Sequence, residues 1–444
     1  MKLILLLSLL FSGLNSFAQP FVSGSELRSK YQSIISQENG FLVDVPVDYR
    51  DSSKGTFKIY GSFYKGYDSN LPTLVYVQGG PGFGSHYPLG SAYVEHMKLD
   101  GFNLLLFDTR GTGLSVPEKE EQYRSPSFYG SETIARDIQK IIKHFSISKV
   151  SVYAVSYGTV PATIFASLFP EYTTALVLEG VVYGPTTEFE YKNDHLIRLY
   201  QRCYDLLSPG AKDLVNKIST GEPSWFTSTL NSAMSGSGKQ GCAITSSVLD
   251  KLSSAGVSKE NALRSFQEEL GRRYSGIKIE YNELTYQFNS EINDITYAKE
   301  FGNGSDKDYS KIVLVDGLVQ RVAAKNSSYA ASAKEYGISY DKSAYYWAHK
   351  YPVKVPVSYL IGYYDTFTMM PGALEHFRKV PKGFAQAVIA MEFGHTFDNN
   401  FKLMGLQNPE FGNLAELFKK QIFLNMVKGQ PLVKVPLKFK YLQK

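Results

Sequence analysis

The fold of this chain follows from one stretch, Val150-Ser151-Val152-Tyr153-Ala154-Val155-Ser156-Tyr157-Gly158. Residues 150–155 have the β-branched and aromatic side chains of a buried strand, and a helical pattern begins after Gly158. Ser156 lies between the two, and its neighbours two residues away, Ala154 and Gly158, are both small. The stretch predicts a strand, a sharp turn and a helix in direct succession, with a serine at the turn.

Strand patterns alternate with helical patterns on both sides of this stretch. Residues 131–145 form the clearest helical pattern, because isoleucines recur at helical spacing and Ser131-Glu132 supplies a cap residue and an early acid. Residues 41–45 and 56–60 suit antiparallel edge strands. Three more apolar runs have the composition of buried strands: Leu74-Val75-Tyr76-Val77, Asn103-Leu104-Leu105-Leu106-Phe107 and Ala175-Leu176-Val177-Leu178. This alternation predicts a mostly parallel, doubly wound sheet with helices on its faces.

The strand rhythm stops after residue 181 and returns near residue 351. Roughly residues 190–350 have the patterns of helices and loops. Residues 355–361 and 385–391 are again strand patterns, and residues 412–427 form a closing amphipathic helix. We therefore divide the chain into a first part of the sheet domain (19–181), a helical cap insertion (182–350) and a second part of the sheet domain (351–444). The insertion joins at the C-terminal edge of the sheet, where open α/β sheets place their sites.

The first eighteen residues have the pattern of a secretory signal peptide. Lys2 precedes an apolar run from Leu3 to Leu10, and Ser16-Phe17-Ala18 has small residues at positions −3 and −1 of a cleavage site. We expect cleavage after Ala18 and a periplasmic or secreted protein. An uncleaved membrane anchor is the alternative, but the run is short for a bilayer span. No later segment has the ~18 consecutive apolar residues of a transmembrane helix.

Charge and cysteine content narrow the range of partners. The formal net charge is +5, and the only local basic bias is a set of lysines near the C-terminus. That bias favours a solvated strand edge over a nucleic-acid or membrane-binding surface. Cys203 and Cys242 both fall in the insertion, and a disulfide between them suits an exported protein, although the sequence does not give their separation. No metal or nucleotide motif is present, so we predict no metal and no cofactor; the oligomeric state is not indicated.

A serine on a strand–turn–helix is the arrangement of a nucleophile elbow, and it needs a base and an acid from elsewhere in the chain. His395 is the best candidate for the base, because it follows the last strand pattern, whereas His376 lies in a helical pattern. Asp365 is the best candidate for the acid, because it occupies the turn after the strand ending at residue 361. Asp398 is the local competitor, but a residue this close in sequence is poorly placed to orient the ring of His395.

Two backbone N–H groups are needed to stabilise a tetrahedral oxyanion. One candidate is Tyr157, the residue after the serine. The other is Gly80, in the loop Gln78-Gly79-Gly80-Pro81-Gly82 after the first core strand, where glycines let the backbone approach a substrate and Pro81 has no N–H. His86 lies near this loop and is a candidate for substrate contact.

A second glycine loop, Asp108-Thr109-Arg110-Gly111-Thr112-Gly113-Leu114-Ser115, follows the second core strand. We expect Asp108 and Arg110 to form an ion pair that braces the oxyanion loop.

Together with the serine turn, the Gly-Gly-Pro-Gly loop and Gly394-His395, this loop resembles the proline iminopeptidase and tripeptidyl aminopeptidase group of α/β-hydrolases. The resemblance covers about residues 40–181 and 351–430 and fades in the insertion. Gln78 departs from the histidine that the family has at that position.

The resemblance implies the α/β-hydrolase fold and a serine exopeptidase that releases residues from a free peptide N-terminus, with proline as one candidate residue. Ser156, Asp365 and His395 inherit the triad roles. The alternative is an esterase or amidase that acts on small molecules with the same triad. A non-catalytic binding protein is disfavoured, because the triad pattern is complete and in order.

Enzymes of this group hold the α-ammonium of the substrate with carboxylates near the site. Glu179 ends the fourth core strand and is one candidate for this anchor, although a structural partner for Arg110 is at least as good an interpretation. Glu188 and Glu190, at the start of the insertion, are further candidates. The number of residues released is not given by the sequence.

Overall fold

The computed structural model describes fourteen parts of the chain: residues 21–37, 39–84, 97–183, 190–220, 225–274, 289–301, 309–313, 319–323, 333–338, 350–397, 400–401, 410–432, 436 and 439–444. The expected signal peptide lies outside these residues, as do His86, Glu188 and Asp398. Glu190 begins a helix, but its side chain is outside the described part.

A nine-stranded sheet forms the centre of the molecule, in the order β1-β2-β4-β3-β5-β6-β9-β10-β11. The six central strands, β4, β3, β5, β6, β9 and β10, run parallel to one another. At the two ends of the sheet, the pairs β1–β2, β2–β4 and β10–β11 are antiparallel. β7 and β8 pair separately. The strands are β1 Gly40–Pro46, β2 Thr56–Tyr64, β3 Thr73–Val77, β4 Asn103–Phe107, β5 Val150–Val155, β6 Thr173–Glu179, β7 Tyr309–Val313, β8 Val319–Ala323, β9 Val357–Gly362, β10 Ala385–Ala390 and β11 Phe439–Gln443.

Helices cover both faces of the sheet and form the insertion. The insertion contains α6 to α11, between β6 and β9. The helices are α1 Gly24–Lys30, α2 Gln32–Gln37, α3 Glu120–Tyr123, α4 Ser131–His144, α5 Thr159–Leu168, α6 Glu190–Asp205, α7 Pro209–Ser219, α8 Trp225–Ser237, α9 Lys239–Ser254, α10 Lys259–Tyr274, α11 Ser290–Phe301, α12 Met370–Lys379, α13 Glu410–Leu417 and α14 Leu424–Val427, with a π-helical turn at Phe418–Phe423 joining the last two.

The strands β3, β4, β5, β9 and β10 are buried along their whole length, which is why their sequences are mostly apolar. In β3, Val75 and Val77 pack into the core shared with α4 and α5, whereas Leu74 and Tyr76 pack into the core shared with the C-terminal helices. In α4, Ile138 is fully buried, which stabilises the fold by about 2–3 kcal/mol. The predicted doubly wound sheet is confirmed.

The start of α4 differs from the expectation. Gly130, with φ +139°, is the N-cap residue, and Ser131 is the first residue of the helix. The Ser131 hydroxyl donates to Glu300 of α11 at 2.7 Å instead of capping the helix. The sequence could not distinguish these two roles of Ser131, because a serine at the start of a helix fits both a cap and a bond to the insertion.

The insertion has a second hydrophobic core, built around α6 to α10 and completed by Tyr364 and Met369 from the loop after β9. Cys203 on α6 and Cys242 on α9 are joined by a disulfide, with 5.4 Å between their Cα atoms. The antiparallel pair β7–β8 departs from the prediction of helices and loops in this region. The sequence between these strands contains Asp316-Gly317, a common hairpin signal.

Neither a membrane span nor a metal cluster is present in the described part of the chain. There, no helix is both long enough and apolar enough to cross a bilayer. Nor do His, Cys, Asp and Glu side chains gather in groups of three or more that could hold a metal ion within these residues.

Candidate active site

Ser156 follows β5 directly and has a φ of +54°. Such a value is unusual for a residue with a side chain and stores strain, which is typical of a nucleophile elbow. The turn is tight because β5 lies beside β3: a Cβ atom at Gly158 would stand 2.4 Å from the carbonyl oxygen of Val77. Glycine is therefore required at 158, while Ala154 is accommodated in the buried strand.

Asp365 lies in the loop after β9 and is 1% exposed. Its Oδ1 accepts the backbone N–H groups of Phe367 and Thr368, both at 2.9 Å. Its Oδ2 accepts the Thr368 hydroxyl at 2.6 Å and His395 Nδ1 at 2.8 Å. Four donors therefore fix the carboxylate in one orientation. Thr368 was not singled out from the sequence, although a threonine three residues after an aspartate is a recurring local turn pattern.

His395 follows β10 and reaches back over the sheet edge, with a side chain that is 14% exposed. Its backbone N–H donates to the carbonyl of Ser235 in α8 at 2.7 Å, so the insertion helps to hold the loop. Burial by itself would lower the pKa of His395. The negative charge of Asp365, its hydrogen bond and the charge of Glu179 together outweigh burial and raise the pKa above its usual value.

The structure brings Asp365 and His395 into direct contact and places Ser156 at the same edge of the sheet. The His395 ring lies against Gly180, which follows β6, the neighbour of the strand that carries Ser156. Because neighbouring strands are ~4.8 Å apart, the ring and Ser156 lie at adjacent strand ends. Within the described part of the chain, no hydrogen bond joins Ser156 Oγ to His395. Such bonds are often long in free enzymes and tighten when substrate binds.

The predicted oxyanion donors lie beside the serine. The Gly79 backbone approaches Ser156 so closely that a Cβ atom there would stand 2.9 Å from the serine Cβ, and Gly80 is the next residue. The insertion holds this loop, because Asn289 N donates to Gly82 O at 2.9 Å and Asn293 Nδ2 donates to Pro81 O at 3.1 Å.

Tyr157, the other predicted donor, is buried, and its phenol is part of a second link to the insertion. Its hydroxyl bonds to Ser131 at 2.8 Å and to Glu300 of α11 at 3.0 Å. Glu300 was missed in the sequence, because nothing near it in the chain indicates contact with the serine turn.

The expected ion pair between Arg110 and Asp108 is wrong. Arg110 forms a buried, two-pronged pair with Asp137 of α4, with its Nε at 2.6 Å from Oδ2 and its Nη2 at 2.7 Å from Oδ1. Asp108 instead accepts the backbone N–H of Leu114 at 2.9 Å and so fixes the turn of its own loop. The partner of Arg110 therefore comes from α4, and the spacing of charged residues along the loop did not indicate this.

Glu179 has neither of the two roles considered for it. It does not pair with Arg110, and at 1% exposure its carboxylate is closed to a substrate ammonium. Its oxygens instead accept the hydroxyl of Tyr153 and the backbone N–H of Phe397, the latter at 2.5 Å. The expected role of Glu179 as the amine anchor is therefore not supported.

Two other histidines are buried near this region. His376 lies on α12, as its helical pattern predicted; it bonds to the Tyr359 hydroxyl at 2.7 Å, and burial lowers its pKa to about 4. His195, which no sequence pattern singled out, bonds through Nε2 to the carbonyl of Tyr363 at 3.0 Å, and burial lowers its pKa. It thus supports the loop that carries Asp365.

The chain is similar to known proteins over part of its length. Residues 72–208 match the family described as the alpha/beta hydrolase fold. A proline iminopeptidase of Aspergillus aculeatus is 28% identical over 157 residues, which is 31% of this chain and 35% of the relative. A proline iminopeptidase of Aeromonas sobria is 29% identical over 166 residues, 34% of this chain and 39% of the relative. The matched region thus spans less than half the length of these relatives.

Among solved structures, a proline iminopeptidase-related protein of Thermus thermophilus is 16% identical, with a TM-score of 0.40, and the alignment covers 88% of this chain and 99% of that one. An alpha/beta hydrolase from a Medee basin deep-sea metagenome library has a TM-score of 0.41 at 14% identity, with 86% and 98% covered. The chain has the α/β-hydrolase fold and resembles the proline iminopeptidase group of α/β-hydrolases at modest sequence identity.

Proposed function

We propose that this chain is a serine exopeptidase that releases residues from the free N-terminus of peptides. The observation that carries the proposal is the 2.8 Å hydrogen bond between His395 Nδ1 and Asp365 Oδ2, at the sheet edge where Ser156 has a positive φ. Identities of 28% and 29% to proline iminopeptidases support peptidase chemistry over other reactions of the same triad.

In this proposal, His395 Nε2 takes the proton of Ser156 Oγ as the oxygen attacks the carbonyl carbon of the scissile peptide bond. Asp365 keeps the proton on Nδ1, so that Nε2 is free to accept. The charge of Asp365 also stabilises the imidazolium that forms. Collapse of the tetrahedral intermediate passes this proton to the leaving amine and leaves an acyl-enzyme, which water hydrolyses with His395 again as base.

The oxyanion of the intermediate is held by the backbone N–H groups of Gly80 and Tyr157. Loss of one such donor costs roughly 3–4 kcal/mol of transition-state stabilisation in other serine hydrolases. Both residues are braced by α11 and by Asn289, which precedes it, through the bonds to Pro81 and Gly82 and through the Tyr157 phenol. Rigid donors suit this role, because they need no reorganisation at the moment of reaction.

Phe367 offers an apolar surface at the rim of the site. The residue is 52% exposed, and its ring lies edge-on to His395 with the centroids 5.5 Å apart. Its backbone is fixed by the bond to Asp365. We assign it to contact with the side chain at the substrate's N-terminus, which fits an apolar ring such as that of proline.

Export to the periplasm or the medium is part of the proposal. It is supported by the charged, apolar and small-residue pattern of residues 1–18 and by the disulfide between Cys203 and Cys242, since disulfides persist in oxidising compartments. The test is N-terminal sequencing of the mature protein from cell fractions. A mature chain beginning at Gln19 outside the cytoplasm is expected, and a cytoplasmic chain beginning at Met1 would overturn this part.

The test of the activity compares a prolyl arylamide with its N-acetylated form, with Ser156→Ala as the control variant. Turnover of only the free-amine substrate, lost in Ser156→Ala, is the expected result. If neither arylamide is cleaved while a simple aryl ester is, in a Ser156-dependent manner, the peptidase assignment fails and the small-molecule esterase is the better description.

A further inference from the structure

Glu179 is a buried carboxylate that the proposed reaction does not use. It ends β6, where it pairs with Val155 of β5 and Leu360 of β9. The Tyr153 hydroxyl donates to one of its oxygens and the Phe397 N–H to the other. Because both oxygens accept donors, this arrangement stabilises the ionised form of a side chain that burial alone would neutralise.

The position of this carboxylate links it to the proposed base. Phe397 is two residues after His395, so the bond from its N–H fastens the histidine loop to the end of β6. Gly180, the residue after Glu179, lies directly under the imidazole: a Cβ atom there would stand 2.7 Å from His395 Cε1. Asp365 approaches the ring from a different loop, after β9.

We propose that Glu179 is a positioning residue, a second carboxylate that fastens the His395–Phe397 loop to the end of β6 and adds negative charge near the imidazolium formed in proton transfer. The inference rests on the proposed function of His395 as general base. It also predicts a property of the imidazole itself, which can be measured without any substrate.

Several charged and titratable groups surround the His395–Phe397 loop. Those on the elements packed against it, within the described residues, include Asp365, Glu179, Lys239 and Glu392 and, on α6, His195 with its neighbours Arg198 and Arg202. Lys239 and Glu392 form an exposed pair at 3.4 Å, where solvent screening leaves little effect on the ring. Asp365 and Glu179 are the two whose charges raise the pKa of His395.

The decisive variant is Glu179→Gln, which keeps an oxygen for the Phe397 N–H and removes the charge, while an NH₂ group that donates takes the place of the oxygen that accepted the Tyr153 hydroxyl. The acid limb of kcat/KM, which reports protonation of the base, is expected to move to lower pH by on the order of one unit. The matched control is Glu392→Gln, the same change in the same loop on an exposed side chain, which is expected to leave the limb in place. A structural role alone would lower activity at every pH without moving the limb.

NMR titration of the histidine ring makes this test independent of activity. The signal of His395 is identified by its loss in His395→Asn, and its pKa is expected to fall in Glu179→Gln by the same amount as the acid limb. An unchanged pKa overturns the inference even if the enzyme is active. A lowered pKa in a protein without Ser156-dependent activity instead leaves the inference about the ring standing and removes the proposed function.

A measurement on the unmodified protein covers the case in which Glu179→Gln does not fold. The Phe397 amide is expected to exchange its hydrogen as slowly as the amides of β6, because it is bonded to a buried carboxylate. Exchange at the rate of an exposed loop would overturn the fastening role.

Discussion

Asp365→Asn replaces one carboxylate oxygen with an amide nitrogen, and the surrounding donors decide which one. Oδ1 accepts two backbone N–H groups, from Phe367 and Thr368, and these can only donate. The amide oxygen must therefore stay there, and the NH₂ group must take the place of Oδ2, facing the Thr368 hydroxyl and His395 Nδ1. An NH₂ group donates to Nδ1, which leaves the ring proton on Nε2.

A proton on Nε2 prevents His395 from accepting the proton of Ser156. Substitutions that impose this tautomer in serine–histidine–aspartate sites lower kcat by about 10,000-fold, and we expect a loss of that order in Asp365→Asn. The assay is kcat for a free-amine arylamide, with circular dichroism to check folding. Thr368→Val is the matched control: it removes a donor to Oδ2 but keeps the carboxylate, so about a tenfold loss is expected. Asp365→Asn with more than about a tenth of the original kcat would refute the assignment of the acid.

Three more predictions follow from other contacts. The charge of Asp365 and its hydrogen bond outweigh burial and raise the pKa of His395. Because the base acts when neutral, kcat/KM is expected to rise with pH through an apparent pKa above about 6.5. An acid limb below pH 6 would contradict this prediction. Replacing Asp137 by Ala leaves the buried Arg110 unpaired and is expected to lower the free energy of unfolding by about 3–5 kcal/mol in urea titrations, and a change below 1 kcal/mol would count against the pair. The disulfide closes a sequence separation of 39 residues, so its removal by Cys203→Ser with Cys242→Ser is expected to destabilise the insertion by about 4 kcal/mol, and equal stability of the two forms would contradict that.

The sheet could be predicted from the sequence because each core strand is a short apolar run with clear boundaries. Residues 150–155 and 103–107 were predicted to the residue, since every position of both strands is buried and only Asn103 and Ser151 interrupt the apolar pattern. The C-terminal lysines predicted a strand edge, and β11 is the last strand of the sheet with Lys440 exposed. The pattern of apolar and charged residues is a local property of the sequence, and the positions of these strands depend on little else.

Contacts between distant elements could not be predicted in the same way. Arg110 pairs with Asp137 rather than Asp108 because α4 brings Asp137 to the arginine, and neither segment's own sequence pattern indicates that contact. Glu179 was placed correctly at the C-terminal end of its strand, but its exposure was not. Whether a carboxylate at that edge faces solvent or the underside of a loop depends on where residues 393–397 lie, which the sequence does not determine.

The insertion contacts three separate parts of the proposed site, and this bears on how the site is assembled. The carbonyl of Ser235 accepts the His395 N–H, Asn293 and its neighbours hold the loop at Pro81, and Glu300 bonds to Tyr157. Each of these groups is a buried or half-buried polar atom that would need another partner if the insertion moved away. The sheet alone therefore fixes where the serine, acid and histidine emerge, whereas the insertion fixes the orientation of the loops that carry the histidine and the oxyanion donors.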